Sequence, residues 1–130
     1  MGPIRGAGVD AERVERFAKL ARGSRPWPLV FSAREAAHLM SLPDPAWGFC
    51  AAFCCKEALC KAIGEPYPFP ACEVLARPGQ EEQELCVAPE LRERHGIGAV
   101  VARVLGDHRA DRGELVAAVC LFDPPAPPAA

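Results

Sequence analysis

The sequence predicts a single α+β domain in which an antiparallel sheet packs against one long central helix and several shorter helices. The chain has 130 residues, of which 50% are hydrophobic and 25% charged, as is typical of one globular domain. Apolar residues follow helical spacing through much of the first half, whereas the second half contains short Val- and Leu-rich segments separated by turn residues. We expect the domain to span residues 1–123 and the Pro/Ala tail of residues 124–130 to be disordered.

The chain is predicted to begin with a short strand followed by an amphipathic helix. Residues 4–10 contain glycines and end at Asp10, which is either the cap of the next helix or a ligand. From residue 11 to residue 21 the apolar side chains recur at helical spacing, and Gly23 and Pro26 are expected to end this helix.

Two further helices are predicted before the period of the pattern changes. Residues 32–35 read S-A-R-E, the form of a capping box, and predict a helix that runs to about Met40. Residues 47–63 are nearly all apolar and are followed by Gly64 and Pro66, as at a helix C-terminus. Because this helix is apolar on almost every side, it should be buried at the centre of the domain.

Four strands and one short helix are predicted in the second half. The strand segments are short and rich in Val and Leu, as expected of antiparallel strands that pack on helices. Residues 89–95 are expected to form a short helix between two of them. The predicted strands are residues 72–77, 84–88, 99–106 and 115–122.

The charge of the chain argues against one class of partner and favours another. A net charge of −2 is unlike that of a general nucleic-acid binder, which carries a pronounced basic excess. Within residues 12–25, however, five basic residues stand against two acids, so an acidic partner is expected to dock there. The basic residues of this segment are Arg13, Arg16, Lys19, Arg22 and Arg25.

No segment predicts membrane contact or export. The apolar runs are shorter than the roughly 20 residues that span a bilayer, and residues 1–10 do not resemble a signal peptide. The seven cysteines are an odd number set in apolar stretches, which indicates buried free thiols rather than disulfides. A cytoplasmic protein is therefore expected.

The central helix carries the most informative polar residues. At about 100° per residue, Glu57 and Lys61 fall in one narrow sector together with Cys50 and Cys54. An acid and a base on an otherwise apolar helix are costly to bury unless they are paired or bind a ligand. From spacing alone, an ordinary exposed ion pair one turn apart is the simpler interpretation, and a functional one needs a second acid.

Asp10 and Glu12 offer such acids. Magnesium prefers oxygen ligands and retains several waters, so carboxylates from separate elements plus substrate phosphates would make a suitable site. The alternative is that Asp10 caps the following helix and Glu12 favours its dipole.

Taken together, these segments resemble the paired signature of the 4'-phosphopantetheinyl transferase superfamily. Residues 4–10 read I-R-G-A-G-V-D, similar to the family's G-[IV]-D element, and residues 53–64 read F-C-C-K-E-A-L-C-K-A-I-G, similar to its F/W-x-x-K-E-A/S-x-x-K element. Residues 30–35 read V-F-S-A-R-E, similar to a V-F-[ST]-x-x-E segment. The similarity in order and spacing covers the N-terminal half of the chain.

The length of the chain indicates the subclass. The larger members of the superfamily are tandem pseudodimers, whereas single-domain holo-acyl-carrier-protein synthases are about as long as this chain and form trimers with active sites between subunits. The resemblance therefore implies a phosphopantetheinyl transferase fold, a homotrimer, and transfer of 4'-phosphopantetheine from coenzyme A to a serine of an apo acyl carrier protein, with release of 3',5'-ADP. The Asp10-Ala11-Glu12 spacing, in contrast, is typical of the larger class.

The resemblance also implies roles for individual residues. Asp10 and Glu57 would hold magnesium, with Glu12 as an additional ligand or a water in its place. The catalytic residues would be Glu57, Lys61 and Asp10, with Lys61 acting on the departing nucleotide. The residues expected to bind coenzyme A are Lys56, Lys61, Gly64 and His108.

The first helix is expected to bind the carrier protein. Carrier proteins are acidic, and the family uses basic residues of this helix to bind them. This role falls here on Arg16, Arg22 and Arg25, since opposite charge speeds and orients docking.

Two other functions stay open. A non-catalytic relative that only binds carrier protein or coenzyme A is suggested by the segment at His108, where Leu105 and Asp107 replace two serines of the family. A thiol-based metal or redox protein would use Cys50, Cys54 and Cys55, although no Cys-x-x-Cys pair accompanies them.

Overall fold

The computed structural model describes residues 2–23, 27–106 and 113–128. Its strands are β1 Ile4–Arg13, β2 Cys72–Leu75, β3 Glu82–Val87, β4 Val100–Leu105 and β5 Glu114–Phe122. Its α-helices are α1 Ala18–Ala21, α2 Ala33–Met40, α3 Pro45–Ile63 and α4 Pro89–His95. Within the described residues the five strands form one antiparallel sheet in the order β1-β5-β4-β3-β2, and the predicted α+β class is confirmed.

The helix predicted over residues 11–21 is wrong in its first part. Strand β1 continues to Arg13 and pairs with β5 along its length, so the ladder of the sheet overrides the helical spacing. The apolar spacing of this segment comes instead from a 3-10 turn at Val14–Phe17 followed by α1. A 3-10 turn has three residues per turn, so both of its end residues lie on the buried side. Asp10 therefore lies inside a strand and caps no helix.

Helix α3 is the buried centre of the domain, as predicted. It begins at Pro45, two residues earlier than expected, since proline suits the first helical turn and the Trp47 N–H donates to the Asp44 side chain. It ends where Gly64 takes a left-handed conformation with a φ of 90°. Helix α3 packs on β1 and β5 and also contacts α1 and α2, so most of its side chains are buried.

The other elements follow the prediction closely. Helix α2 begins with a capping box, in which the Glu35 N–H donates to Ser32 Oγ at 3.1 Å and the Ser32 N–H donates to Glu35 Oε1 at 3.2 Å. The four C-terminal strands lie within two residues of the expected bounds, and α4 matches them. Residues 124–128 are exposed and carry neither helix nor strand. Of the helices that the structure describes, none has both the length and the apolar character needed to cross a bilayer.

Two glycines let β1 and α3 lie backbone against backbone. A methyl group at Gly8 would overlap the Ala58 carbonyl oxygen and lie 2.7 Å from the Ala62 amide nitrogen. A methyl group at Gly6 would overlap the Ala62 carbonyl oxygen. Strand and helix therefore approach this closely only because both positions lack a side chain.

We expect Gly8→Ala to lower the free energy of unfolding by about 1–3 kcal/mol, because the added methyl group meets backbone atoms that cannot move independently. Gly48→Ala is a matched control, since a methyl group there meets the flexible ends of the Leu42 and Leu39 side chains. Chemical denaturation of both variants measures the effect. Unchanged stability of Gly8→Ala would show that β1 can move away from α3 without cost.

Candidate active site

Acids and a lysine meet where β1 contacts α3. Side chains alternate along β1, so Asp10 and Glu12 share the face that lies toward α3. The Lys61 ammonium donates to Asp10 Oδ1 at 3.1 Å and to the Val9 carbonyl at 3.0 Å. Lys61 is thus bound to the neighbouring strand. In the simpler interpretation, an exposed ion pair with Glu57, it would contact only its own helix.

The two cysteines predicted to share this face of α3 also lie toward the sheet. The Cys50 thiol donates to the Glu12 carbonyl at 3.7 Å, and the Cys54 thiol donates to the Leu115 carbonyl at 3.8 Å. The face of α3 that carries Lys61 therefore packs against β1 and β5 at Cys50 and Cys54, and it reaches solvent toward the end that carries Lys61.

Asp10, Glu12 and Glu57 form what we term the carboxylate cluster. Burial raises the pKa of Glu57, and the negative charges of Asp10 and Glu12 raise it further, while Lys61 and Arg16 act in the opposite direction. Burial and the neighbouring negative charges thus both disfavour the ionised form of Glu57. A bound cation would favour that form.

Asp10 and Glu57 fit a site for a hard dication. They offer the oxygen donors that magnesium prefers, and they come from separate elements. Asp10 Oδ2 is buried and, within the described residues, has no hydrogen-bond partner. Since buried polar atoms are normally paired, a cation at Asp10 would satisfy an oxygen that the protein leaves unpaired.

Glu12 is not placed as a third ligand. Its Oε2 lies 2.9 Å from the Arg16 guanidinium. In the part of the chain that the structure describes, no three His, Cys, Asp or Glu side chains are arranged to hold one metal ion together. This arrangement does not support the expected site of three carboxylates, so water and substrate oxygens would complete a shell around Asp10 and Glu57.

Lys56 is not available to a nucleotide, contrary to the role that the resemblance implies. Its side chain is 0% exposed, and its ammonium lies 3.0 Å from Glu35 Oε1. It also donates to the Phe69 carbonyl at 2.8 Å and to the Cys72 carbonyl. An ammonium enclosed in this way cannot reach a phosphate, so we correct its role from binding coenzyme A to anchoring the turn of α3 that carries Glu57.

Glu35 is the residue whose role the motifs did not indicate. Its Oε2 accepts the Val74 N–H at 2.7 Å, while Oε1 binds Lys56, so one carboxylate joins α2, α3 and β2. Burial raises the pKa of Glu35, and the charge of Lys56 partly offsets the rise. The capping box already accounted for Glu35, which is why its second role was missed.

Comparison with known proteins decides the family. The family model of the 4'-phosphopantetheinyl transferase superfamily matches residues 6–120. The chain belongs to the 4'-phosphopantetheinyl transferase superfamily. It is also 31% identical over 129 residues to the holo-[acyl-carrier-protein] synthase of Anaeromyxobacter sp. (strain K), covering 91% of this chain and 95% of that protein. The family and the enzyme class expected from the sequence are confirmed.

Solved structures of holo-[acyl-carrier-protein] synthases share the fold. The holo-[acyl-carrier-protein] synthase of Neisseria meningitidis matches with a TM-score of 0.74 and 19% identity, over 92% of this chain and 99% of that chain. The Helicobacter pylori enzyme in complex with coenzyme A matches with a TM-score of 0.68 and 17% identity, over 88% of this chain and 98% of that chain. Identities this low show likeness of fold alone.

In this transferase Arg16 lies over an aromatic surface. Its guanidinium carbon is 5.0 Å from the ring centroid of Phe53 and 5.8 Å from that of Trp27. Its side chain is 50% exposed, so it is accessible to a partner while paired with Glu12. The sequence indicated its charge but not this aromatic support.

The structure describes only some of the remaining predicted site residues of the transferase. Arg22 is exposed just after α1, and Gly64 is exposed just after α3. Arg25 and His108 lie outside the described residues.

The thiols of the transferase do not support a metal or redox function. All seven cysteines are free, as expected. Its hydrogen bond with Cys50 and its burial raise the pKa of Cys54, and burial raises the pKa of Cys55, so both thiols stay protonated. Because the thiolate is the metal ligand and the nucleophile, buried protonated thiols of this kind are packing residues.

Proposed function

We propose that this transferase moves the 4'-phosphopantetheine of coenzyme A onto a serine of an apo acyl carrier protein, requires magnesium and releases 3',5'-ADP. The observation that carries the proposal is the meeting of Asp10, Glu57 and Lys61 at the contact of β1 with α3. The name of the Anaeromyxobacter relative supports the carrier as substrate. The Helicobacter pylori structure in complex with coenzyme A supports the donor.

Asp10 and Glu57 would hold the magnesium ion. When bound, it would neutralise charge that develops on the phosphoryl group and on the departing nucleotide, which is the main task in phosphoryl transfer. Its requirement for oxygen ligands would be met by Asp10, whose Oδ2 has no hydrogen-bond partner among the described residues, and by Glu57, whose ionised form is disfavoured by burial and by the neighbouring acids.

The chain's own residues would then manage the proton and the leaving group. Glu57 accepts the proton of the carrier serine while the serine oxygen forms a bond to the phosphorus next to pantetheine. The bond from that phosphorus to the 3',5'-ADP oxygen breaks. Lys61, which is 54% exposed beside Asp10, stabilises the charge on this oxygen. We retain Gly64 and His108 as candidates for binding the nucleotide.

Arg16, Arg22 and Arg25 are proposed to bind the carrier. Arg16 is half exposed beside Glu12, and Arg22 is exposed just after α1. An acidic carrier bound at Arg16 would therefore arrive beside the carboxylate cluster. A carrier of fatty-acid synthesis is the first candidate. The free thiols agree with a cytoplasmic location, which cell fractionation would check.

We also propose a homotrimer. Several side chains of β1, β5 and β4 that point away from α3 are apolar and form a strip, in which Ala11 lies opposite Val116 and Val116 opposite Leu105. Val9 and Leu105 in this strip are 56% and 52% exposed, and such surface favours burial against further copies of the chain. Sedimentation equilibrium distinguishes three chains from one.

The proposed reaction is tested by incubating the protein with coenzyme A, magnesium and apo acyl carrier protein, and weighing the carrier by mass spectrometry. The expected result is an increase in carrier mass equal to one phosphopantetheine group. This increase should not occur when magnesium is chelated. Carriers of fatty-acid, polyketide and peptide synthesis are compared. Absence of a gain with all three, together with measurable binding of coenzyme A or carrier, would favour the non-catalytic alternative.

A further inference from the structure

Arg16 and Glu12 form an ion pair at the edge of the carboxylate cluster. Arg16 Nη1 lies 2.9 Å from Glu12 Oε2. The Glu12 side chain is 19% exposed and the Arg16 side chain 50%, so the acid faces the protein and the base faces solvent. Strand β1 ends at Arg13 and the 3-10 turn folds the chain back, which brings residue 16 over residue 12.

Aromatic rings hold Arg16 in this position. Its guanidinium carbon lies between 5.0 and 5.8 Å from the ring centroids of Phe53, Phe17 and Trp27. Attraction between the cation and these rings adds to the ion pair. Arg16 is therefore restrained more firmly than an ordinary surface arginine, whose single ion pair contributes little.

Glu12 lies on the same face of β1 as Asp10. It follows Asp10 by two residues on the face of β1 that lies toward α3, and its carbonyl accepts the Cys50 thiol of that helix. The charge of Glu12 also raises the pKa of Glu57, so the two acids lie near one another. The Glu12 carboxylate itself, however, accepts a hydrogen bond from Arg16.

We propose that Arg16 is a positioning residue that withholds the Glu12 carboxylate from the cation site of Asp10 and Glu57. This inference rests on the proposed function, because it presupposes that cation site. Displacement of Arg16 frees Glu12 to turn toward the cation as a third carboxylate. An acidic surface that binds the Arg16 guanidinium then tightens cation binding, and by reciprocity the cation strengthens binding of that surface.

A double-mutant cycle tests the inference with Mn²⁺, a paramagnetic substitute for Mg²⁺ whose binding is measured by electron paramagnetic resonance without substrate. Arg16→Gln is expected to lower the Kd for Mn²⁺ about fivefold more in chains that keep Glu12 than in chains with Glu12→Gln. Loss of a positive charge favours cation binding in both backgrounds. Only the difference between the backgrounds therefore reports the released carboxylate.

Arg13→Gln is the matched control, because Arg13 pairs with the exposed Glu15 at 3.6 Å and its loss should leave the Kd nearly unchanged. Unfolding curves verify that each variant folds, and Arg16→Met, which keeps the contact with the rings, replaces Arg16→Gln if that variant does not. Equal effects in the two Glu12 backgrounds would overturn the inference. Mn²⁺ binding that is indifferent to both Asp10→Asn and Glu57→Gln would instead refute the proposed cation site.

Discussion

Glu57→Gln is expected to lower the rate of phosphopantetheine transfer by about 100- to 10,000-fold, the range for loss of a positioned acid–base group. Glutamine keeps the shape of the side chain but loses the negative charge and the proton acceptor. Burial and the charges of Asp10 and Glu12 raise the pKa of Glu57. A bound cation would favour its ionised form, which glutamine cannot supply. The rate is measured as the mass gain of the carrier with time.

The matched control for this substitution is Glu90→Gln, which makes the same chemical change at an exposed position of α4. It should transfer at the wild-type rate. Thermal unfolding of Glu57→Gln should show a stability equal to or above that of the wild type, since a carboxylate with a raised pKa is neutralised. Transfer by Glu57→Gln within threefold or so of the wild-type rate would contradict the assigned role.

Lys56→Met is expected to lower the free energy of unfolding at neutral pH by about 3–5 kcal/mol, the cost of removing one partner of a buried ion pair. Both charged side chains are 0% exposed, so water cannot replace the lost ammonium. The Phe69 and Cys72 carbonyls also lose their donor. Urea denaturation measures the loss, and Lys19→Met on the exposed side of α1 is the control.

The loss in Lys56→Met should depend on pH in a defined direction. Burial raises the pKa of Glu35 above its ordinary value of 4.5, and Lys56 opposes the rise, so the folded pKa lies higher still in the variant. The folded state then binds more protons than the unfolded chain, and stability falls as pH rises from about 4.5 through the folded pKa. Adding Glu35→Gln should remove this dependence, and a loss that is constant with pH would contradict it.

The sequence predicted the elements of this domain best where the local pattern and the tertiary environment agree. Helix α3 was predictable because its composition, its closing Gly64 and its burial are all consistent. The strand conformation of residues 11–13 could not be predicted, because their apolar spacing suits a helix. They pair with β5, and no local pattern reveals a partner strand so distant in the sequence. The same spacing describes a 3-10 turn nearly as well as an α-helix at Val14–Phe17.

The candidate site was predictable as a set of residues but not as an arrangement. Asp10, Glu57 and Lys61 were found through motifs, and the structure brings them together. A motif gives residue types and spacing, however, and does not predict the direction of a side chain. Lys56 stands next to Glu57 in the chain yet points into the core toward Glu35, and Glu12 is turned toward Arg16.

The glycine contact between β1 and α3 has a consequence for how the site tolerates change. Where two backbones touch directly, van der Waals contact between main-chain atoms sets their separation, and the volumes of neighbouring side chains have little influence on it. The spacing of Asp10 and Lys61 is then insulated from the packing on the far side of α3, where Phe49 meets Phe31. Substitutions on that side can therefore change the stability of the domain during evolution without moving Asp10 and Lys61 relative to each other.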